Sequence, residues 1–172
     1  MAAERCFAGA QHDSGGWEDA VTAPTLIFGW GNPSRGDDAL GPALLDRVEA
    51  LLSHHPEWGT VDLLTDFQLQ VEHALDLDGR RRVLFVDASA GQLGEPFGVS
   101  RLEPARDASF TTHALSPQGV MHVYEKIRTA PPPPCQLLAI TGEAFELGAP
   151  LSGAARANLD SRLHPRRRWT HL

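Results

Sequence analysis

Cysteine is nearly absent from this 172-residue chain: there are two, Cys6 and Cys135, and no C-x-x-C pair. That excludes a disulfide framework and a cysteine zinc site, and it fits a reduced cytosolic setting. Positive charge is also in short supply. Fifteen Lys and Arg against 22 Asp and Glu leave a formal charge of −7, the wrong sign for a general nucleic-acid surface. No apolar run approaches the ~20 residues of a membrane span. The first residues hold acids and glycines without a long apolar core, so they do not read as a secretory signal. Neither a G-x-S-x-G elbow nor an H-E-x-x-H motif occurs, which argues against an α/β-hydrolase nucleophile and an ordinary zinc protease.

What is present is the composition of a globular protein, 42% apolar and 22% charged, at a length that suits one domain with a sizeable core. We expect residues 1–23 to form a disordered tail, 24–164 a single domain, and 165–172 a basic tail around Arg166 to Arg168. Thr25 to Trp30, Val61 to Leu64, Val83 to Val86, Gly98 to Leu102 and Leu137 to Ile140 read as strands. Helices are expected from Asp37 to about Ser53, where Leu40, Leu44, Leu45, Val48, Leu51 and Leu52 recur at helical spacing, and at Gln70–Leu77, Pro117–Ile127 and Ser152–Leu163. This alternation predicts a three-layer α/β/α sandwich with a mostly parallel central sheet.

The most informative stretch is Gly29 to Pro42. A glycine-rich turn ends the first strand and delivers Asp37 and Asp38 to a helix start. Asp37 reads as the N-cap, and the free N–H groups of a helix start hold carboxylates in their ionised form. A dinucleotide fingerprint would need glycine where Ser34 stands, and the loop lacks the lysine of a P-loop. Asp87 ends the apolar run Val83 to Val86, where a charge is costly unless it is hydrogen-bonded, paired or bound to metal. It reads equally as a carboxylate satisfying loop N–H groups or as a ligand at the sheet's C-terminal edge. His113 precedes a helix. Alone it reads as a solvated loop residue; with two aspartates it completes a three-ligand site with open positions. Asp66 to Gln70, after the second strand, is either a strand-to-helix turn or an exposed recognition loop, with Phe67, Gln68 and Leu69 alternating in and out if extended. Cys135, entering a strand, reads as a buried structural thiol.

In this order the motifs resemble those of the hydrogenase maturation endopeptidases, which act on [NiFe]-hydrogenase large subunits. The resemblance is carried by Gly29-x-Gly31-Asn32-x-x-x-x-Asp37-Asp38-Ala39-x-Gly41, by Asp66, by Val86-Asp87-Ala88 and by His113-x-Leu115, and spans roughly Thr25 to Leu163. The wording of Asn32 to Asp38 and of Asp66 to Ala74 is most similar to the branch serving soluble NAD-reducing hydrogenases. The resemblance implies a phosphorylase/hydrolase-like fold and a single cut near the large subunit's C-terminus, made after nickel insertion. It implies Asp38, Asp87 and His113 as nickel contacts, with Ni2+ supplied by the precursor and no tightly bound metal of the enzyme's own. Asp38 is the candidate catalytic group, as a general base towards water; Gly31, Asn32, Asp66 and Gln68 would bind the substrate strand. Many relatives carry glutamate where this chain has Asp38, whose side chain is one methylene shorter. A cytoplasmic monomer is expected, with the precursor as its partner and neither nucleic acid nor membrane. The alternatives are a non-cleaving nickel-dependent maturation chaperone, a nucleotide-dependent enzyme and a general metallohydrolase.

Overall fold

The computed structural model describes residues 22–91, 94–107 and 115–163. Among them run strands β1 (Thr25–Trp30), β2 (Val61–Asp66), β3 (Arg82–Ser89), β4 (Phe97–Leu102) and β5 (Cys135–Thr141). Helices α1 (Leu40–Leu52), α2 (Pro117–Arg128) and α3 (Gly153–Leu163) alternate with them, and short 3₁₀ turns cover Gly36–Ala39, Pro56–Trp58 and Val71–Leu77. The strand order is β2-β1-β3-β5-β4. Pairs β1–β2, β1–β3 and β3–β5 are parallel, and only the edge strand β4 runs antiparallel, against β5. The sandwich read from the sequence is the fold observed.

Alternation along the central strands divides the core in two. Leu26 and Phe28 of β1 with Val83 and Phe85 of β3 face α2 and the Val71–Leu77 turn, where they meet Leu77, Val120, Met121 and Tyr124. Their neighbours Ile27, Leu84 and Val86 face α1 and α3, against Leu40, Leu44, Val48 and Leu159. Covering both faces of a sheet demands unbroken apolar runs, which is what β1 and β3 carry. The layers approach closely because glycines leave room. A Cβ at Gly29 would lie 2.7 Å from the Gly41 carbonyl oxygen, and one at Gly41 would lie 2.4 Å from that of Trp30.

Several local expectations are corrected. The first helix opens with a 3₁₀ turn at Gly36–Ala39, and α1 proper starts at Leu40. Asp37 is not its N-cap: the carboxylate is fully buried and turned towards the segment after β5. β2 continues to Asp66 and β3 to Ser89, because β1 and β5 supply ladder partners that far, Trp30 for Asp66 and Thr141 for Ser89. Asp87 therefore lies inside β3 rather than at its end. Phe67 and Leu69 do not share a face, for the chain bends after Asp66, leaving Phe67 exposed and Leu69 fully buried. At the start of the domain Ala23 is already buried, and its carbonyl accepts a hydrogen bond from Arg80 Nη1 at 2.8 Å. The expected tails at 1–21 and 165–172, and His113, lie outside the described residues.

Candidate functional site

Strand order locates the site before any side chain is considered. From β1 the sheet grows through β2 on one side and β3 on the other. Loops leaving the C-terminal ends of β1 and β3 thus diverge and open a crevice, the usual binding place in an open α/β sheet. The ladder between β1 and β3 stops at Gly29–Val86, so Asp87 is the first residue of β3 beyond it. The glycine turn after β1 brings Asp38 to the same crevice.

This turn is held by a short sequence of hydrogen bonds. Gly31 donates its N–H to the Asp66 carbonyl at 3.1 Å, joining the turn to the end of β2. Asn32 donates its N–H to Asp38 Oδ2 at 2.8 Å, while Asn32 Oδ1 accepts from Ser34 N at 2.9 Å. Gly31 sits at φ +139°, and a Cβ there would lie 1.9 Å from the Asp38 carbonyl oxygen. Glycine is thus required by both conformation and space.

The two aspartates of the pair do different work. Asp37 accepts from Glu143 N (2.8 Å), Ala144 N (3.0 Å), Ser152 N (2.7 Å) and Ser152 Oγ (2.8 Å). Burial pushes its carboxyl up, but these bonds outweigh it and hold the group below the usual carboxylate range. Ser152 Oγ in turn accepts from Ala155 N at 3.0 Å and caps α3. Asp37 is therefore a structural anchor, whereas Asp38 is half-buried and its charge reaches Asp87.

Asp87 has the opposite environment. Burial pushes its carboxyl up, the Ala88 N–H at 2.8 Å pulls it down, and the Asp38 charge adds a further upward push, for a pKa of about 6. None of the ion pairs among the described residues involves Asp38 or Asp87. Two neighbouring carboxylates with no ion-pair partner among the described residues repel each other, and a cation placed between them would relieve that repulsion. Among the described residues no three His, Cys, Asp or Glu side chains gather as a metal-ligating group. Just before α2, Leu115 donates its N–H to the Leu69 carbonyl at 3.1 Å, which ties the residue to the loop after β2.

The remaining expected residues divide. Gly31 and Asp66 meet through the backbone bond already given, and Gln68 is half-buried in the bend that follows. The Asp66 carboxylate is committed inward: Oδ1 accepts from Phe67 N at 2.6 Å, and Oδ2 lies 3.2 Å from His73 Nε2, with side-chain exposures of 11% and 8%. His73 Nδ1 accepts from Gln70 N at 2.9 Å, so the proton sits on Nε2 and points at Asp66. The His73 ring also stands edge-on to Phe28 at 4.7 Å. Asp66 and His73 together set the shape of the loop. His73 is not among the residues that the sequence singles out, although its place three residues after Gln70 is a capping-box spacing. Cys135 is buried, and burial pushes its thiol up to about 12, in keeping with a structural role.

A mostly parallel α/β/α sandwich with paired carboxylates at its switch point defines the class. No family model matches the sequence, nor does any curated protein. Solved structures do. The chain is similar to the hydrogenase maturating endopeptidase HybD from E. coli (23% identity, 81% of this chain and 86% of that one, TM-score 0.56). It is also similar to the [NiFe] hydrogenase maturation protease HycI from Thermococcus kodakarensis KOD1 (20%, 81% and 87%, 0.57). A third match is the hydrogenase 2 maturation peptidase from Thaumarchaeota archaeon SCGC_AB-539-E09 (21%, 81% and 92%, 0.54). The chain thus has the fold of the hydrogenase maturation proteases, which is the fold its ordered motifs imply. No helix among the described residues is long and apolar enough to cross a membrane.

Proposed function

We propose that this protein is an endopeptidase that removes a C-terminal peptide from the nickel-loaded precursor of a [NiFe]-hydrogenase large subunit. The observation that carries this reading is the pairing of Asp38 and Asp87 in the β1/β3 crevice of a fold shared with proteins named as hydrogenase maturation proteases.

In this reading nickel arrives with the substrate. Asp38 and Asp87, with His113, take up open positions on that ion and so bring the scissile bond to the crevice. Correct placement of a reacting bond is worth at most about 7–11 kcal/mol of barrier. Asp38 has two routes, as metal contact or as general base towards water, and an individual carboxylate does not serve both at once, because metal binding lowers its basicity. The Asn32 N–H on Asp38 Oδ2 fixes the carboxylate's orientation for either. Gly31, Asn32 and the Asp66–Gln70 loop border the crevice and would guide the substrate strand. The protein would work as a cytoplasmic monomer on this one partner, and its resemblance in Asn32 to Asp38 points to the precursor of a soluble NAD-reducing hydrogenase.

The test is incubation of the protein with purified precursor, with and without inserted nickel, followed by mass measurement. One truncated product from the nickel-loaded precursor alone is expected. An intact nickel-loaded precursor that stays bound would favour the chaperone alternative, and cleavage of unrelated unfolded proteins would overturn partner specificity.

A further inference from the structure

Trp30 is the last residue of β1, and neither the turn that follows it nor the carboxylate pair gives its side chain a task. The ladder between β1 and β3 ends at Gly29–Val86, and the same register carried one residue further sets Trp30 opposite Asp87. Side chains alternate along a strand, and adjacent strands lie about 4.8 Å apart. Trp30 follows Leu26 and Phe28 on the face towards α2, and Asp87 follows Val83 and Phe85 on that same face. The indole and the Asp87 carboxylate are therefore neighbours on one side of the sheet, at the point where β1 and β3 part.

The ring is firmly set. It stands edge-on to Phe28 (centroids 6.5 Å apart, 86° between planes) and to Phe85 (6.1 Å, 72°), at the border of the core on that face. On its other side β1 pairs Trp30 with Asp66. Trp30 is nevertheless only half-buried, and its indole N–H has no hydrogen-bond acceptor among the described residues. The backbone donors next to it are already spent, Gly31 N–H on the Asp66 carbonyl and Asn32 N–H on Asp38 Oδ2. Trp30 thus brings a fixed apolar surface and an available donor to the side of Asp87. An indole with an apolar body and a polar tip is suited to an interface where one end is dry and the other wet. A polypeptide supplies both complements, an apolar side chain for the ring and a backbone carbonyl for the N–H.

We propose that Trp30 is a substrate-binding residue of the crevice: its indole N–H donates to a backbone carbonyl of the entering polypeptide, its ring packs on a side chain of that polypeptide, and the strand is thereby laid beside Asp87. This rests on the endopeptidase reading given above and adds to it a contact that neither Asp38 nor Asp87 supplies. Because the hydrogen bond is made to the bound chain before any bond is cut, its loss weakens binding of the substrate and leaves the rate at saturation alone.

Steady-state processing of nickel-loaded precursor by the full chain, read by mass, tests it with the parent, Trp30→Phe and Trp30→Ala. Trp30→Phe keeps an aromatic ring against Phe28 and Phe85 and removes the donor. Unchanged circular dichroism is expected, with KM raised about three- to tenfold and kcat within about twofold of the parent. Trp30→Ala should raise KM further, and Trp30→Phe serves alone if the alanine variant misfolds. In the parent, the Trp30 Nε1–H resonance, followed by nitrogen NMR, should shift when nickel-loaded precursor is added, and an unmoved resonance overturns the proposal whatever the variants do. A parent that cuts, beside a Trp30→Phe variant with the parent's KM, overturns the role of Trp30 and leaves the endopeptidase reading standing; so does a loss of kcat at unchanged KM. A parent that leaves the nickel-loaded precursor intact overturns that reading, and the role of Trp30 with it.

Discussion

Asp37 and Ser152 stand 115 positions apart, yet both carboxylate oxygens of Asp37 hold Ser152, one through its N–H at 2.7 Å and one through its hydroxyl at 2.8 Å. The capping serine of α2 is held the same way. Asp107 Oδ2 accepts from Ser116 N at 2.9 Å, Oδ1 accepts from Ser116 Oγ, and Ser116 Oγ accepts from Gly119 N. In both cases an aspartate outside the helix positions its cap. Asp37→Ala would leave the buried N–H groups of Glu143, Ala144 and Ser152 without acceptors, at roughly 1–3 kcal/mol each. We expect a loss of more than about 3 kcal/mol in urea unfolding. Because the Asp37 carboxyl is held low, its contribution is present above the ordinary carboxylate pKa and fades as pH falls through the lowered value.

Asp87 should show the reverse dependence. Its folded pKa is raised from 3.8 to about 6, so ionisation opposes folding, and stability present below the unfolded value is lost as pH rises through the folded one. Asp87→Asn removes that loss. The variant should match the parent near pH 4 and exceed it by on the order of 3 kcal/mol at neutral pH, measured by thermal unfolding across the range. It should also fail to process precursor, trading function for stability.

Gly31→Ala is predicted to be severe. The added methyl would meet the Asp38 carbonyl oxygen at 1.9 Å in a backbone conformation that favours glycine. Displacement of Asp38 should abolish processing, and unfolding should show a penalty of several kcal/mol.

His73→Phe keeps the contact with Phe28 while stripping partners from Gln70 N–H and Asp66 Oδ2. A stability loss of about 1–3 kcal/mol is expected. Precursor affinity should weaken more than the rate of the cut at saturation, since the loop it shapes borders the site without carrying Asp38.

Asp38→Glu should be the mildest change at the crevice, as it supplies the side chain common among the proteases this chain resembles. Asp38→Ala and His113→Ala should each slow processing by about 10²-fold or more in a mass-based assay, with circular dichroism unchanged. A His113→Ala variant that works at the parent rate would remove that residue from the trio.

Local pattern made much of this molecule readable. The unbroken apolar runs of β1 and β3 announced a sheet covered on both faces, and the spacing of Leu40, Leu44, Leu45 and Val48 announced the helix over it. Asp38 and Asp87 drew attention because each follows an apolar run, and the structure brings the Asp38 charge close enough to act on Asp87, although Asp87 lies inside β3 and not at its end. Asp37 was misread as a cap because its acceptor role depends on donors 106 to 115 residues downstream, which no local pattern displays. His73 escaped notice for a related reason: its partner Asp66 is close in sequence, but only the bend after β2 turns the two side chains towards each other. The reversed direction of β4 and the continuation of β3 past Asp87 are products of pairing with β5, and pairing is a tertiary choice.

Gly29 and Gly41 press strand and helix together backbone to backbone, with no side chain between them to slide or swing. A Cβ at Gly41 would also lie 2.9 Å from the Val86 carbonyl oxygen, so the segment bearing Asp38 packs directly against the strand bearing Asp87. Under the proposed function, a chain end brought to this crevice would meet a site already shaped by that close packing.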